Sequence, residues 1–135
     1  MRLRALLLCD DVRFEVGGTM TLVGVYADRI IVGPGGPTEA IQLPRLAIYS
    51  VISGLAEATE LAWRQTLLVE GSGPGAPVAE GREPHDPASD EHRLVNILSP
   101  LTLPGPGRYR LIVELETLRE RRSIEHRFVV ERDAS

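Results

Sequence analysis

The sequence from residue 12 to residue 26 reads VRFEVGGTMTLVGVY, and this stretch decides the fold. Val12, Phe14 and Val16 alternate with charged residues, which is the period of a strand with one apolar and one solvated face. Gly17-Gly18 can supply the two positive φ angles of a tight hairpin turn. The run Met20–Tyr26 is mostly apolar or β-branched, which predicts a second strand covered on both faces. The stretch therefore predicts a β-hairpin.

Length and composition indicate one globular domain. The chain has 135 residues, 43% apolar and 25% charged, enough to bury about two thirds of the surface of its unfolded chain. Its net charge of −4 argues against sequence-independent binding to nucleic acid, which normally needs a basic surplus. All 15 positive side chains are arginine, a bias typical of GC-rich bacterial genomes. We therefore expect a bacterial protein that has no nucleic-acid partner.

The amino-terminal residues do not resemble a targeting signal. The apolar run Ala5–Cys9 ends at Asp10-Asp11 and is shorter than the roughly 7–15 apolar residues of a signal-peptide core. No run approaches the ~18 apolar residues of a membrane helix. Cys9 is the single cysteine, so no internal disulfide can form. We expect a cytoplasmic protein that does not contact a membrane.

Period-two patterns and turn signals alternate along the chain. They predict an all-β fold, an antiparallel two-sheet sandwich that is loosely immunoglobulin-like and has about seven strands. The first strand is expected to bend at Asp10-Asp11 and change sheet. A helix is the competing interpretation only for Thr59–Glu70. The strand segments are Leu3–Leu8 with Val12–Val16, Met20–Tyr26, Ile30–Val32, Leu46–Ile52, Thr59–Glu70, Arg93–Ser99, Tyr109–Leu115 and Ile124–Val130.

Two further features complete the predicted fold. The Gly/Pro-rich residues 71–92 lack apolar periodicity and predict a flexible surface loop within a single domain, residues 1–135. Tyr109 lies just inside the penultimate strand, where sandwiches of this kind place a tyrosine corner.

Several of these segments together resemble a group of small bacterial proteins of unknown function. The similarity is carried by Cys9-Asp10-Asp11-Val12-Arg13, Gly17-Gly18, Leu22–Tyr26 and Leu43–Leu46, with Gly107–Tyr109 and Phe128–Val130 near the other end. The resemblance implies a cytosolic β-sandwich and brings no functional residues with it. We take the polar positions in or beside the amino-terminal motif as candidate interaction or structural residues: Asp10, Asp11, Arg13, Glu15, Tyr26 and Arg45.

Cys9 beside two aspartates is the most suggestive chemical cluster. A nucleophilic cysteine needs positive neighbours to lower its pKa, and adjacent carboxylates act in the opposite direction. A buried structural thiol is therefore the favoured interpretation. The alternative is a small metal-dependent or cysteine-based enzyme that uses Cys9, Asp10 and Asp11.

Histidines and arginines suggest weaker sites. His85 and His92, with nearby carboxylates, could bind a metal, but the predicted flexible loop favours a solvated segment. His126 is expected to be a partly buried, hydrogen-bonded strand residue. A basic hairpin tip could contact phosphate, although its mixed charge favours a solvated turn. The tip residues are Arg119, Arg121, Arg122 and Arg127.

These observations favour a non-catalytic protein-interaction or scaffolding module that needs no cofactor or metal. The expected partner is another protein or a second copy of the chain, bound through an unpaired edge strand. Leu46–Ile52 and Val23–Val32 are long apolar segments with few charged residues, so at least one is expected to lie against something. A carrier of a small ligand between the sheets is a third possibility, limited by the small interior of so short a chain.

Overall fold

The residues that the structure describes form eleven strands and no helix. The structure is a computed structural model and describes residues 1–71 and 77–133. The all-β prediction is confirmed. The strands are β1 (Arg2–Phe14), β2 (Met20–Tyr26), β3 (Arg29–Val32), β4 (Ile41–Leu43), β5 (Leu46–Ser53), β6 (Glu60–Val69), β7 (Pro77–Pro84), β8 (His92–Leu98), β9 (Leu101–Leu103), β10 (Gly107–Glu116) and β11 (Arg121–Arg132).

The strands form two main sheets with one core between them. Sheet A has the order β2-β1-β5-β8, and sheet B has the order β3-β11-β10-β6-β7; β4 and β9 pair separately. All pairs are antiparallel except β3 with β11. Leu8 and Ile48 of sheet A share one buried cluster with Leu111 and Phe128 of sheet B. This arrangement is the predicted sandwich.

The strand count differs from the prediction of about seven. The additional strands are β4, β7 and β9: β7 lies within the Gly/Pro-rich segment, and β4 and β9 have three residues each. So few positions cannot display a period of two against a background of glycine and proline. The helix interpretation of Thr59–Glu70 is excluded, because β6 occupies Glu60–Val69.

The prediction that the first strand changes sheet at Asp10-Asp11 is wrong. β1 is continuous through both aspartates and stays in sheet A. It changes partner instead, pairing with β5 over Arg2–Cys9 and with β2 over Leu8–Phe14. Its register shift lies between Leu3 and Ala5. The acidic pair therefore marks the place where the hairpin extends beyond β5.

The central hairpin forms as predicted, but its burial differs. Gly17 and Gly18 have φ values of 93° and 83°, as the turn requires. Phe14 is 67% exposed and Val16 is fully exposed, because the hairpin tip projects past the last pairing of β5 at Cys9. Met20–Tyr26 is an edge strand and is not covered on both faces.

Residues 71–92 are not an irregular loop throughout. Pro77–Pro84 forms β7, which pairs with β6 at the edge of sheet B, and His85 is only 5% exposed. Backbone pairing with an existing edge supplies order that apolar periodicity does not reveal. The flexibility of the segment stays a prediction, and residues 72–76 lie outside the described residues.

Tyr109 forms the predicted corner. Its side chain is buried, and its hydroxyl donates a hydrogen bond to the Gly105 carbonyl four residues upstream. The ring stacks on Phe128, with ring centroids 5.6 Å apart. The corner thus attaches the loop before β10 to the core, as in other sandwiches.

Candidate interaction surface

Asp10 connects the two strands of the central hairpin. Its carboxylate accepts a hydrogen bond from the Tyr26 hydroxyl. Gly24 lies opposite at a φ of 64°, and a Cβ placed there would meet Asp10 Oδ2 at 2.5 Å. Glycine at this position therefore makes room for the carboxylate that Tyr26 binds. The contact is a structural link within the hairpin.

Asp11 joins β1 to the start of β5. Its Oδ2 lies 2.7 Å from Arg45 Nη1, and its Oδ1 accepts a hydrogen bond of 2.9 Å from the Val12 amide. Both side chains of the ion pair are partly exposed, so its contribution to stability is modest. Asp11 therefore combines an ion pair with a local hydrogen bond to the backbone.

The remaining two candidates, Arg13 and Glu15, form a third pair. Arg13 Nε is 4.0 Å from Glu15 Oε1, and both side chains are exposed near the hairpin tip. The six candidate residues therefore form three separate pairs and do not converge on one pocket.

Cys9 has the environment of a structural thiol. It is fully buried, and its Sγ lies 3.8 Å from the Ala47 carbonyl oxygen. Burial raises the pKa of the thiol, and the charges of Asp10 and Asp11 raise the pKa further. A thiol held protonated and out of solvent is a poor nucleophile, which weighs against the cysteine-based enzyme.

The weaker sites also have structural surroundings. His126 is half-buried on β11 beside Phe128, and burial lowers its pKa while the charge of Asp28 opposes the shift. Three arginines of the basic tip lie within ion-pair distance of glutamates: Arg119 with Glu57 at 3.5 Å, Arg121 with Glu116 at 3.1 Å and Arg127 with Glu125 at 3.0 Å. Each of these three arginines therefore has a carboxylate partner.

His85 and His92 meet in the crossover between β7 and β8. Their Nδ1 atoms are 3.0 Å apart, His85 Nε2 lies 2.8 Å from the Ser89 carbonyl oxygen, and His92 Nε2 lies 2.6 Å from Glu83 Oε2. The predicted flexible loop favoured a solvated segment, and this interpretation is wrong for His85, which is 5% exposed. The sequence signal for this contact was the presence of two histidines seven positions apart. The contact itself depends on the turn that brings β7 and β8 together.

The face of sheet A that points away from the core is apolar. Leu46 and Ile48 belong to the main core, so the alternate positions of β5 and of the strands paired with it point outward. We call this the sheet A outer face. It comprises Ala5, Leu7 and Cys9 of β1, Val25 of β2, Ala47, Tyr49 and Val51 of β5, and Val95 and Ile97 of β8.

Part of the sheet A outer face is covered by the central hairpin. Val12, Met20 and Leu22 pack with Cys9 and Ala47 in a cluster separate from the main core. The rest is accessible to solvent, since Val25 is 50% exposed and Ile97 is 40% exposed. Charged side chains lie at its two ends, Arg93 at one and the Asp11–Arg45 pair at the other. An apolar centre with a charged rim is typical of protein interfaces.

The opposite surface of the sandwich has a different character. On sheet B, Arg64 pairs with Glu80 at 3.0 Å and Arg110 with Glu125 at 3.6 Å. A groove of about 460 Å³ on this surface is lined mainly by charged side chains. The outer surface of sheet B is therefore more polar than the sheet A outer face.

The space between the sheets does not suit a carried ligand. The gap lined by Leu8, Leu111 and Phe128 has no room for a water-sized sphere. The larger spaces, of about 680 Å³ and 460 Å³, are surface grooves. A drug-sized ligand needs a cleft of about 300 Å³ or more that encloses most of its surface, so the carrier hypothesis lacks support among the described residues.

We expect Tyr26 to make the protein less stable in alkali. Burial, followed by the hydrogen bond to Asp10 and the charge of Asp10, raises the Tyr26 pKa to about 12. The unfolded chain releases this proton near the ordinary tyrosine pKa of about 10. The free energy of unfolding should therefore fall as the pH rises from about 10 to about 12. Urea unfolding of the wild type and of Tyr26→Phe measures this loss, and equal pH slopes would contradict it.

Within residues 1–71 and 77–133, no three His, Cys, Asp or Glu side chains are grouped so that they could hold a metal ion. The same residues contain no helix of the length and hydrophobicity needed to cross a bilayer. No protein-family model matches the chain, and no curated protein is similar to it. The family resemblance stays a prediction.

Proposed function

We propose that the chain is a non-catalytic protein-interaction module of a bacterial cytosolic system, and that it associates through the sheet A outer face. The observation that carries this proposal is the accessible apolar surface of sheet A, which contrasts with the ion-paired arginines and glutamates on the outer surface of sheet B. Large exposed apolar patches are uncommon on monomeric proteins and mark sites of association. The single buried thiol and the compositional bias of the sequence support the bacterial cytosolic setting.

The edges of the sheets indicate how a partner could bind. β7 is bounded by Pro77 and Pro84, β3 has four residues, and β2 contains Gly24 at positive φ. Prolines, short length and local twist all hinder strand addition. β8 has seven residues without glycine or proline, and hydrogen bonds to β5 alone among the described strands. It is the edge best suited to pairing with another strand.

A second copy of the chain is the simplest partner. Antiparallel pairing of β8 with β8 of a second molecule would extend sheet A across both copies. The sheet A outer faces would then form one continuous apolar surface. The sequence analysis expected Leu46–Ile52 to lie against another surface. In the structure this segment is already paired on both sides, by β1 and β8. The contact with a second copy is therefore proposed for β8, the neighbouring edge strand.

A glutamate at Ile97 should weaken this association. Ile97 lies on the edge strand, where apolar cross-strand pairs with the second copy contribute roughly 0.2–1 kcal/mol each, and the substitution removes them from both copies, so we expect Ile97→Glu to associate several-fold more weakly than the wild type at about 50 µM. The control is Ile31→Glu, since Ile31 is 63% exposed on sheet B and its variant should behave as wild type. Sedimentation velocity over a range of concentrations measures the outcome.

Two results would contradict self-association: a wild type that stays monomeric at every concentration, or Ile97→Glu and Ile31→Glu variants that associate equally. A monomeric wild type would leave a different protein as the partner. Affinity capture from a bacterial lysate with wild type and Ile97→Glu then tests the same surface. Identical captured proteins from both baits would overturn the proposed surface altogether.

A further inference from the structure

We propose that His85, His92 and Glu83 hold one shared proton, and that this proton latches the crossover between β7 and β8. The proposal is independent of the interaction surface. It rests on which atoms in a chain of three hydrogen bonds can donate and which can accept.

The two ends of the chain are fixed by their partners. A carbonyl oxygen only accepts, so His85 Nε2, at 2.8 Å from the Ser89 carbonyl, must carry a hydrogen. An ionised carboxylate also only accepts, so His92 Nε2, at 2.6 Å from Glu83 Oε2, must carry one as well. The two Nδ1 atoms then face each other at 3.0 Å, and a hydrogen bond between them needs one more hydrogen. The four ring nitrogens therefore hold three hydrogens.

The contact fails when the proton count changes in either direction. A fourth ring hydrogen places two N–H groups against each other at Nδ1. Loss of the third leaves either two lone pairs facing each other there, or a lone pair on His92 facing the Glu83 carboxylate. Each alternative leaves a buried polar group without a partner, which is unfavourable. His85 is 5% exposed and the His92 side chain 13%, so water compensates poorly.

The positions of Glu83, His85 and His92, which we call the triad, allow the shared proton to connect separate parts of the fold. Glu83 lies on β7 at the edge of sheet B, and His92 lies on β8 at the edge of sheet A. The His85 amide donates to Thr59, and the amides of Leu55 and Glu57 donate to carbonyls of the crossover. The shared proton therefore ties together two sheet edges and the loop before β6.

Other charged groups around the triad have their own partners or lie at the surface. Glu57 of the loop before β6 is 3.5 Å from Arg119, Glu60 of β6 is 2.8 Å from Arg82 of β7, and Glu91 is 3.5 Å from Arg93 of β8. Asp86 accepts from the Ala88 amide, Asp90 is exposed, and exposed Arg2 of β1 pairs with Ser53 of β5. The response to pH is therefore assigned to the triad.

Hydrogen exchange at the Leu55 and Glu57 amides tests the latch. When the pH is varied from about 4 to about 9, protection corrected for intrinsic exchange should pass through a maximum, because the chain of hydrogen bonds is complete at only one proton count. We expect it to fall about tenfold or more on both sides, as for loss of a charged hydrogen bond. The ring ¹⁵N shifts of both histidines should change together, since the proton belongs to the pair.

Three variants separate the latch from a general loss of structure. Glu83→Gln can donate its amide N–H to His92 Nε2, which satisfies the chain with two ring hydrogens, so the alkaline fall should disappear. His92→Gln should remove the pH dependence at both limbs. Glu80→Gln, on the same strand but in a surface ion pair with Arg64, should retain the wild-type profile.

Flat protection across the pH range in the wild type, or ring ¹⁵N shifts that titrate independently, would overturn the proposal. An alkaline fall that survives in Glu83→Gln would overturn it as well. If His92→Gln fails to fold, the Glu83→Gln profile and the wild-type ring shifts still decide the outcome.

Discussion

Replacing Leu94 with alanine is expected to lower the free energy of unfolding by about 2–5 kcal/mol. Leu94 is completely buried on β8 and belongs to the main core cluster. The substitution removes three carbon atoms and leaves a cavity whose walls belong to two packed sheets and relax only partly. Urea unfolding at low protein concentration, where association does not contribute, measures the effect.

Val95→Ala is the matched control for this prediction. Val95 is the next residue on β8, and its side chain is half-buried on the sheet A outer face. We expect it to lower the free energy of unfolding by less than about 1.5 kcal/mol and to weaken self-association. Equal losses of stability in Leu94→Ala and Val95→Ala would show that the two faces of β8 are wrongly assigned.

Gly24→Ala is expected to destabilise the protein by about 2 kcal/mol or more. Positive φ alone disfavours an L-residue by roughly 1–2 kcal/mol. The new Cβ would also meet Asp10 Oδ2 at 2.5 Å and Asp10 Cγ at 3.0 Å, which forces the carboxylate away from the Tyr26 hydroxyl. The loss should therefore combine backbone strain with a broken hydrogen bond.

Gly18→Ala isolates the part of this loss that comes from the contact. Gly18 has a comparable φ of 83°, but nothing lies within 4 Å of a Cβ placed there. We expect only the backbone term in Gly18→Ala, and in a protein that already carries Asp10→Ala the further loss caused by Gly24→Ala should shrink to the same backbone term. Thermal unfolding of the three single variants and the double variant provides the comparison, and equal melting temperatures for Gly18→Ala and Gly24→Ala would refute the Asp10 contact.

The sequence was informative where alternation is long. In β10, Tyr109, Leu111, Val113 and Leu115 are all at most 1% exposed, as their period of two predicts. It was least informative at β7, where the order comes from pairing with β6. Such pairing is a property of the backbone and leaves little trace in side-chain hydrophobicity.

The candidate surface was less visible than the fold. The amino-terminal motif directed attention to Asp10, Asp11 and Tyr26, but Asp10 and Tyr26 bind each other within the hairpin and Asp11 binds Arg45 beside β5. The sheet A outer face was missed because strands such as β5 are apolar on both sides. Continuous hydrophobic runs of this kind are normally interpreted as doubly buried, and sequence alone does not show that one of the two covering layers is missing.

The parallel pairing of β3 with β11 has a consequence for biosynthesis. Arg29 pairs with Val129, one hundred positions later. During translation, β3 leaves the ribosome long before its only neighbour among the described strands of sheet B exists. Ile30 of β3 is 1% exposed in the complete fold, but it cannot be buried beside β11 until that strand has been synthesised. Until β11 is made, the apolar side of β3 therefore stays exposed on the nascent chain, and chaperones are most useful at this stage.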